Sequence, residues 1–299
     1  VTAFGAPQFE AFVCIDWSGQ AVARPKGLAM AWCEPGRRAP LLLRPEGGWT
    51  RAGLLDWLQR HAAKGTRMLV GLDLSPALPF VDAGAYFPGH DEAPEEARAL
   101  WAMVDRLCAQ EPHLSASTFP VREGLRDHFR NHDQTGSAFG SVAGAGGGGR
   151  LRVVEHRQRL AGVNPVSCLN LVGAAQVGKS SLTGMRLLHR LAGAIPVWPI
   201  DPLPAAGPVI VEIYTSIAAR AGGIRKGLSK VRDAATLDAV LSALDSDPHR
   251  ALEKYDDHST DALITASWLR KVAHDPALWA PAGLTETIAR TEGWTFGAT

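Results

Sequence analysis

Acidic residues stand at the ends of apolar runs, and their spacing sets out the chemistry this chain is equipped for. Phe12-Val13-Cys14-Ile15 runs straight into Asp16 and is followed by Trp17-Ser18-Gly19. Met68-Leu69-Val70-Gly71-Leu72 closes on Asp73, and Val209-Ile210-Val211 carries Glu212 into Ile213-Tyr214. Further on, Tyr255-Asp256-Asp257-His258-Ser259-Thr260-Asp261 opens an apolar helix with a cluster of acids. A carboxylate at the end of a buried strand costs free energy unless it is paired, hydrogen-bonded or bound to a cation. Asp257 and Asp261 are four apart, so both project from one helical face and repel each other unless a cation intervenes. Three strand carboxylates and a helical pair therefore point to a site for hard cations. Oxygen-only ligation selects Mg²⁺ or Mn²⁺ over zinc.

Each of these groups also has a plainer role open to it. Asp16 suits the amides of its own turn, and Glu212, taken alone, suits a solvent-facing position. Asp256 or Asp257 is well placed to cap the helix. His258 fits a capping or surface position as well as a metal-binding or water-orienting one. Capping does not suit Asp261, one turn into the helix. The joint occurrence of the acids in this order favours a site.

A second pattern competes with the first. Gly173-Ala174-Ala175-Gln176-Val177-Gly178-Lys179-Ser180 fits GxxxxGK[ST], with an apolar segment before it and a helix after it. Read literally, it makes the chain a P-loop protein that binds ATP or GTP through Lys179 and Ser180. Against this, the match falls mid-chain, no apolar strand ending in a magnesium-binding aspartate follows it, and Gly184 interrupts the helix. The favoured reading is a turn at which Gly178, Lys179 and Ser180 hold a substrate phosphate at a helix N-terminus. Basic residues gather at Arg122, Arg126 and Arg130, which share one helical face if that stretch is a helix. Others are Arg150, Arg152, Arg157 and Arg159, and then Arg220, Arg225, Lys226, Lys230 and Arg232. Singly they read as solvated faces; together they are placed to flank the acids and grip a phosphate backbone.

The composition permits this without announcing it. Of 299 residues, 46% are hydrophobic and 20% charged, which is ordinary for a globular protein with an ample core. The net charge of +1 gives no global basic field, so any nucleic acid must be bound by local patches. Cys14, Cys33, Cys108 and Cys168 are far apart and form no CxxC pair, so they read as reduced core residues of a cytoplasmic protein. No apolar run reaches membrane-spanning length and no signal peptide is visible. No membrane partner is expected, and the oligomeric state is not legible.

The elements that must position these groups follow from periodicity. After the Asp16 strand, Gly27 to Cys33 and Pro40 to Arg44 read as two more strands joined by short turns, which suits an antiparallel meander. Thr50 caps a helix striped by Leu54, Leu55, Leu58 and Ala62, and the Asp73 strand comes next. The order is β-β-β-α-β. Residues 76–165 break the alternation and read as a mainly helical insertion in a single domain spanning 1–299. In it, Asp91 and Pro94 start an amphipathic helix, a basic helix runs near Val121 to His132, and Gly144 to Gly149 is a mobile loop. Val166 to Val172 is a short strand or an extended segment, Gln176 to Leu191 is helical, and Ile195 to Ile200 is an edge strand by virtue of its prolines. Asp233 caps a helix, and a last long helix covers Asp257 to Ala273.

This order resembles the RNase H-like fold. The segments "CIDWSG", "GLDLSPALP", "QVGKSSLTGM", "VIVEIYTS" and "DDHSTDALITA" are similar to a widespread family of predicted RNase H-like nucleases. The closing His258-Ser259-Thr260-Asp261-Ala262 resembles the His-x-x-Asp-Ala helix of Holliday-junction resolvases. The resemblance implies an α/β protein with a mixed sheet flanked by helices. It also implies a two-metal nuclease site using Asp16, Asp73, Glu212 and Asp261, with Asp257 as a neighbour. Two cations roughly 3.5–4 Å apart would activate the attacking water and stabilise the leaving oxygen. Actin-like nucleotide-binding proteins share the same core and its strand-end aspartates, so a non-catalytic binding protein is a third reading.

Overall fold

A computed structural model describes residues 7–132, 134–140, 148–173, 176–225 and 230–298. The chain opens with β1 (Ala11–Asp16), β2 (Ala29–Cys33) and β3 (Leu41–Leu43), then α1 (Arg51–Ala63) and β4 (Met68–Leu72). This is the β-β-β-α-β order expected. Next come α2 (Ala97–Leu107), the short pair β5 (Arg130–Asn131) and β6 (Gln134–Thr135), α3 (Val153–Leu160) and α4 (Val177–Arg190). The remainder is β7 (Val197–Trp198), β8 (Val209–Glu212), α5 (Thr215–Ala221), α6 (Ala234–Ala243), α7 (Asp257–Val272), α8 (Pro276–Trp279) and α9 (Glu286–Thr291).

Six strands form one mixed sheet in the order β3-β2-β1-β4-β8-β7. The β1–β2 and β2–β3 pairs are antiparallel, and β1–β4, β4–β8 and β8–β7 are parallel. Side chains alternate across the pleat. Ala11, Val13 and Ile15 enter one core with Val70, Leu72 and Ile210, beneath α1, α2 and α4. Phe12, Cys14, Leu69, Val209 and Val211 enter a second core with α6, α7 and the C-terminal Trp294 and Phe296. The architecture is three layers, helices on both faces of a sheet. No helix among the described residues is long and apolar enough to cross a membrane.

Local signals account for most helix ends. The Thr50 side chain accepts from Gly53 N, Asp233 from Thr236 N and Asp256 from Ser259 N, each closing an exposed first turn. Two expectations need correction. The helix expected from Asp91 begins at Ala97, after an irregular segment. The basic helix expected near Val121 to His132 is absent: single 3₁₀ turns at Phe119–Val121 and Arg126–His128 lead into β5. Gly124, with φ of 77°, breaks that stretch, so the four-residue arginine spacing never becomes a helical face. Val166 to Val172 contributes no strand to the main sheet, only a parallel bridge from Asn170 to Arg130. The mobile loop expected over Gly144 to Gly149 falls largely on residues 144–147, outside the described residues.

Candidate functional site

Register brings the acids to one edge. Ile15 is paired with Leu72, and Leu72 with Glu212, so Asp16, Asp73 and Glu212 all lie at the carboxyl ends of three adjacent parallel strands. Asp73 N donates to Ile15 O at 3.0 Å, extending the ladder by one residue. The carboxyl edge of a parallel sheet is where ligands of such folds bind. Helix α7 packs across β1 and β2 with its first turn at this edge. Gly71 permits that approach: a Cβ there would lie 2.7 Å from Ile213 and 3.0 Å from Leu269 of α7.

Pleat parity then divides the set. Asp16 continues the face of Phe12 and Cys14, and Asp73 that of Leu69; both are on the α7 side. Glu212 has the parity of Ile210, which points into the opposite core. There Arg152 donates to both its oxygens, at 2.6 and 2.7 Å, and Thr295 Oγ1 donates to Oε1 at 2.8 Å. Arg152 also reaches Glu155 Oε1 at 3.0 Å, Ser75 Oγ at 3.1 Å and Glu292 O at 3.0 Å. Arg152 and Glu212 are both buried, so this is a largely desolvated pair with its remaining hydrogen bonds made. Arg152 flanks the cleft as expected, but its guanidinium is engaged by Glu212 and Glu155, and Arg150 does not line the cleft, so neither is placed to grip a phosphate backbone. Arg150 is equally buried, bonded to Asp82 at 2.6 and 2.9 Å and to three carbonyls.

On the α7 side three carboxylates remain together. Asp16 Oδ2 lies 3.0 Å from His258 Nδ1. Burial raises the Asp16 pKa, outweighing the hydrogen bond and charge of His258 and the charge of Lys230. Burial likewise pushes Asp73 well above the carboxylate range, helped by the charges of Asp16, Asp261 and Glu212 and opposed by the Thr215 amide. Asp261 rises to about 7, again through burial first and the Asp16 charge second. The bond to Asp16 raises the His258 pKa despite partial burial. The Asp16 charge raises both Asp73 and Asp261, and the Asp261 charge raises Asp73, an electrostatic cost that a bound cation relieves. Among the described residues, no group of three or more His, Cys, Asp or Glu side chains is arranged so as to hold a metal ion. Asp16 is engaged by His258 and Glu212 by Arg152. Asp73, Asp16 and Asp261 fit a hard cation by donor chemistry; Glu212, with both oxygens engaged, does not fit.

The other expected residues fall as follows. Asp257 turns to the basic loop, bonding Lys230 at 2.8 Å and Arg232, and these bonds overcome desolvation to hold its pKa low. Asp256 is the cap, as one of that pair was expected to be. A cleft of about 430 Å³ opens at this edge; of the three aspartates Asp73 alone lines it, together with Arg152, Glu212, His258, Lys179 and Ser180, while Asp16 and Asp261 lie behind its wall. Arg122 and Arg126 do not line it. Gly178 lies inside α4, and its amide donates to Asn170 O at 3.0 Å, while that of Lys179 donates to Gln176 O at 3.1 Å. Two amides that a phosphate cradle needs are thus taken by carbonyls, and Ala174 and Ala175 lie outside the described residues. Gly19 packs so closely on this helix end that a Cβ would lie 2.5 Å from Ser180 N. The turn after Asp16 is fixed by Arg51, which donates to Ser18 O at 2.5 Å and to Gln20 O at 2.6 Å. Arg51, Arg152 and His258's bond to Asp16 were not read from the sequence, since each acts on a partner distant in the chain.

Fold and site define an α/β protein with a mixed six-stranded sheet and an acidic cleft at its parallel carboxyl edge. Comparison with known proteins finds no matching family model, no similar curated protein and no similar solved structure.

Proposed function

We propose that this chain is a metal-dependent nuclease built on an RNase H-like sheet. The observation that carries the reading is the convergence of Asp16, Asp73 and Asp261, from two parallel strand ends and the facing helix, in mutual repulsion beside an open cleft. The strand order, with an antiparallel β1-β2-β3 meander beside parallel β4 and β8, supports the same reading. Asp16, Asp73 and Asp261 would hold Mg²⁺ or Mn²⁺, matching oxygen donors to hard cations. Such a cation, when bound, activates water and stabilises a leaving oxygen in phosphodiester hydrolysis. The two-cation form expected from the resemblance would require Glu212 to leave Arg152, so the proposal is confined to the three aspartates.

The chain's own groups supply the rest. His258, hydrogen-bonded through Nδ1, fixes the orientation of the Asp16 carboxylate and lines the cleft with an imidazole able to donate or accept a proton. Lys179 lines the same cleft and attracts a phosphate. The test is cleavage of single-stranded, duplex and branched DNA and of RNA, with Mn²⁺ and with chelator. Metal-dependent cleavage by the wild type that Asp73→Asn abolishes supports the proposal. Metal-independent cleavage, or no cleavage and no metal binding, removes it and favours a binding protein on the same scaffold.

A further inference from the structure

The acidic cleft does not end at Lys179. A second cleft, of about 840 Å³, shares Gly19, Gln20, Gln176 and Lys179 with it and continues away from the acids. Its charged lining is Arg24, Lys26 and Lys179, with His132 beside them, and no acidic residue lines it among the described residues. Arg24 is held in place by carbonyls, donating to Gly48 O at 2.7 Å and Glu46 O at 3.3 Å. Lys26 is exposed and precedes Gly27, where a Cβ would lie 3.0 Å from the His258 ring. Lys26 is thus the chain neighbour of the residue that packs on His258. Val22 and Val121 line the same cleft and are 48% and 54% exposed, which leaves apolar surface beside the charges.

The geometry points to this second cleft as the track of a single-stranded nucleic acid whose phosphodiester chain passes through the acidic site. The inference rests on the nuclease reading and names its substrate class. A row of cations without acids suits a polyanion, and each phosphate neutralised adds a salt-dependent increment to binding. Exposed valines suit the faces and edges of unstacked bases, which a duplex keeps inside its own stack. The continuity through Lys179 sets the direction: one phosphate beside the carboxylates, the next ones toward Arg24 and Lys26.

The experiment is fluorescence anisotropy in chelator, so that nothing is cleaved. The probes are labelled oligo(dT) and oligo(U) of about 20 nucleotides, longer than the ~4–16 nucleotides of single-strand sites. A trinucleotide and a blunt hairpin duplex serve as controls. The long single strands should bind with salt-dependent affinity and exceed both trinucleotide and duplex by about tenfold or more. Lys26→Glu should weaken binding about tenfold and flatten the salt slope by about one, and Lys26→Arg should restore both. Because Lys26 is exposed, a matching thermal melt verifies the fold of the variants. Equal affinity for duplex and single strand, equal affinity for the trinucleotide, or indifference to Lys26→Glu would each overturn the track. The two readings fail separately. Lys26-dependent binding without metal-dependent cleavage keeps the track and removes the nuclease, whereas cleavage indifferent to Lys26 does the reverse.

Discussion

The guanidinium of Arg152 meets both carboxylate oxygens of Glu212, at 2.6 and 2.7 Å, in a buried pair that forms part of the cleft wall. That pairing separates Glu212 from the three aspartates across the sheet edge and ties α3 to the end of β8. It makes Arg152 a structural anchor. Arg152→Ala should destabilise the protein by about 3–5 kcal/mol, because two buried carboxylates lose their compensating charge. Arg152→Met combined with Glu155→Gln and Glu212→Gln should recover much of that loss. Urea unfolding of both variants checks this, and a neutral Arg152→Ala would contradict it.

The metal-free protein should lose stability as pH rises between about 5 and 8. Asp261 titrates near 7 in the folded chain, above its ordinary value of 3.8, so the folded state binds more protons through this window. His258 is also raised and loses its stabilising charge as pH climbs through its folded pKa, which acts in the same direction. Thermal melts in chelator should fall across this range, and Mg²⁺ should restore more at pH 8 than at pH 5. The fall should shrink in Asp261→Asn. A flat profile in chelator would contradict the repulsion ascribed to the cluster.

Glu111 gives the opposite sign. Its carboxylate is partly desolvated, yet it accepts from Thr118 N at 2.9 Å, Thr118 Oγ1 at 2.5 Å and Ser117 N at 2.7 Å, and its pKa drops to about 2. Stability from this group is present above 4.5, its unfolded value, and is lost as pH falls toward 2. Glu111→Gln should therefore be less stable than wild type at pH 7, with the gap narrowing below pH 4.5 in the same melts. A gap that persists unchanged at low pH would contradict the charge-based origin.

The GxxxxGKS match should bind no nucleotide at micromolar concentration. Its Gly178 and Lys179 amides already donate within the chain. Calorimetry with ATP and GTP should give no heat of binding, while Lys179→Ala should weaken oligonucleotide binding, because Lys179 lines both clefts. Micromolar ATP binding abolished by Lys179→Ala would reverse the assignment.

Much of the fold was legible because it is written locally. Apolar runs, Thr50, Asp233 and Asp256 at helix starts, and the proline-flanked edge strand all act within a few residues. Asp16 and Asp73 were legible for the same reason, at the ends of runs that the sheet buries. The pairing of Glu212 was not legible because Val209-Ile210-Val211 is apolar at every position, so nothing in it shows which face the next residue takes. Its partner Arg152 lies sixty residues upstream, just past a glycine run, where an arginine reads as solvated. The Arg122 to Arg130 spacing misled in the opposite way: a helical period without the residues that sustain a helix.

The most direct test of the central claim is Mn²⁺-dependent cleavage of a labelled single strand by wild type and Asp16→Asn, purified in parallel. The substitution keeps the shape, removes one charge from the cluster and leaves an oxygen to meet His258. We predict cleavage by the wild type with Mn²⁺, none in chelator, and loss of at least about a hundredfold in Asp16→Asn with its melting temperature preserved or raised. Equal activity of the two proteins would contradict the claim that Asp16 holds the catalytic cation.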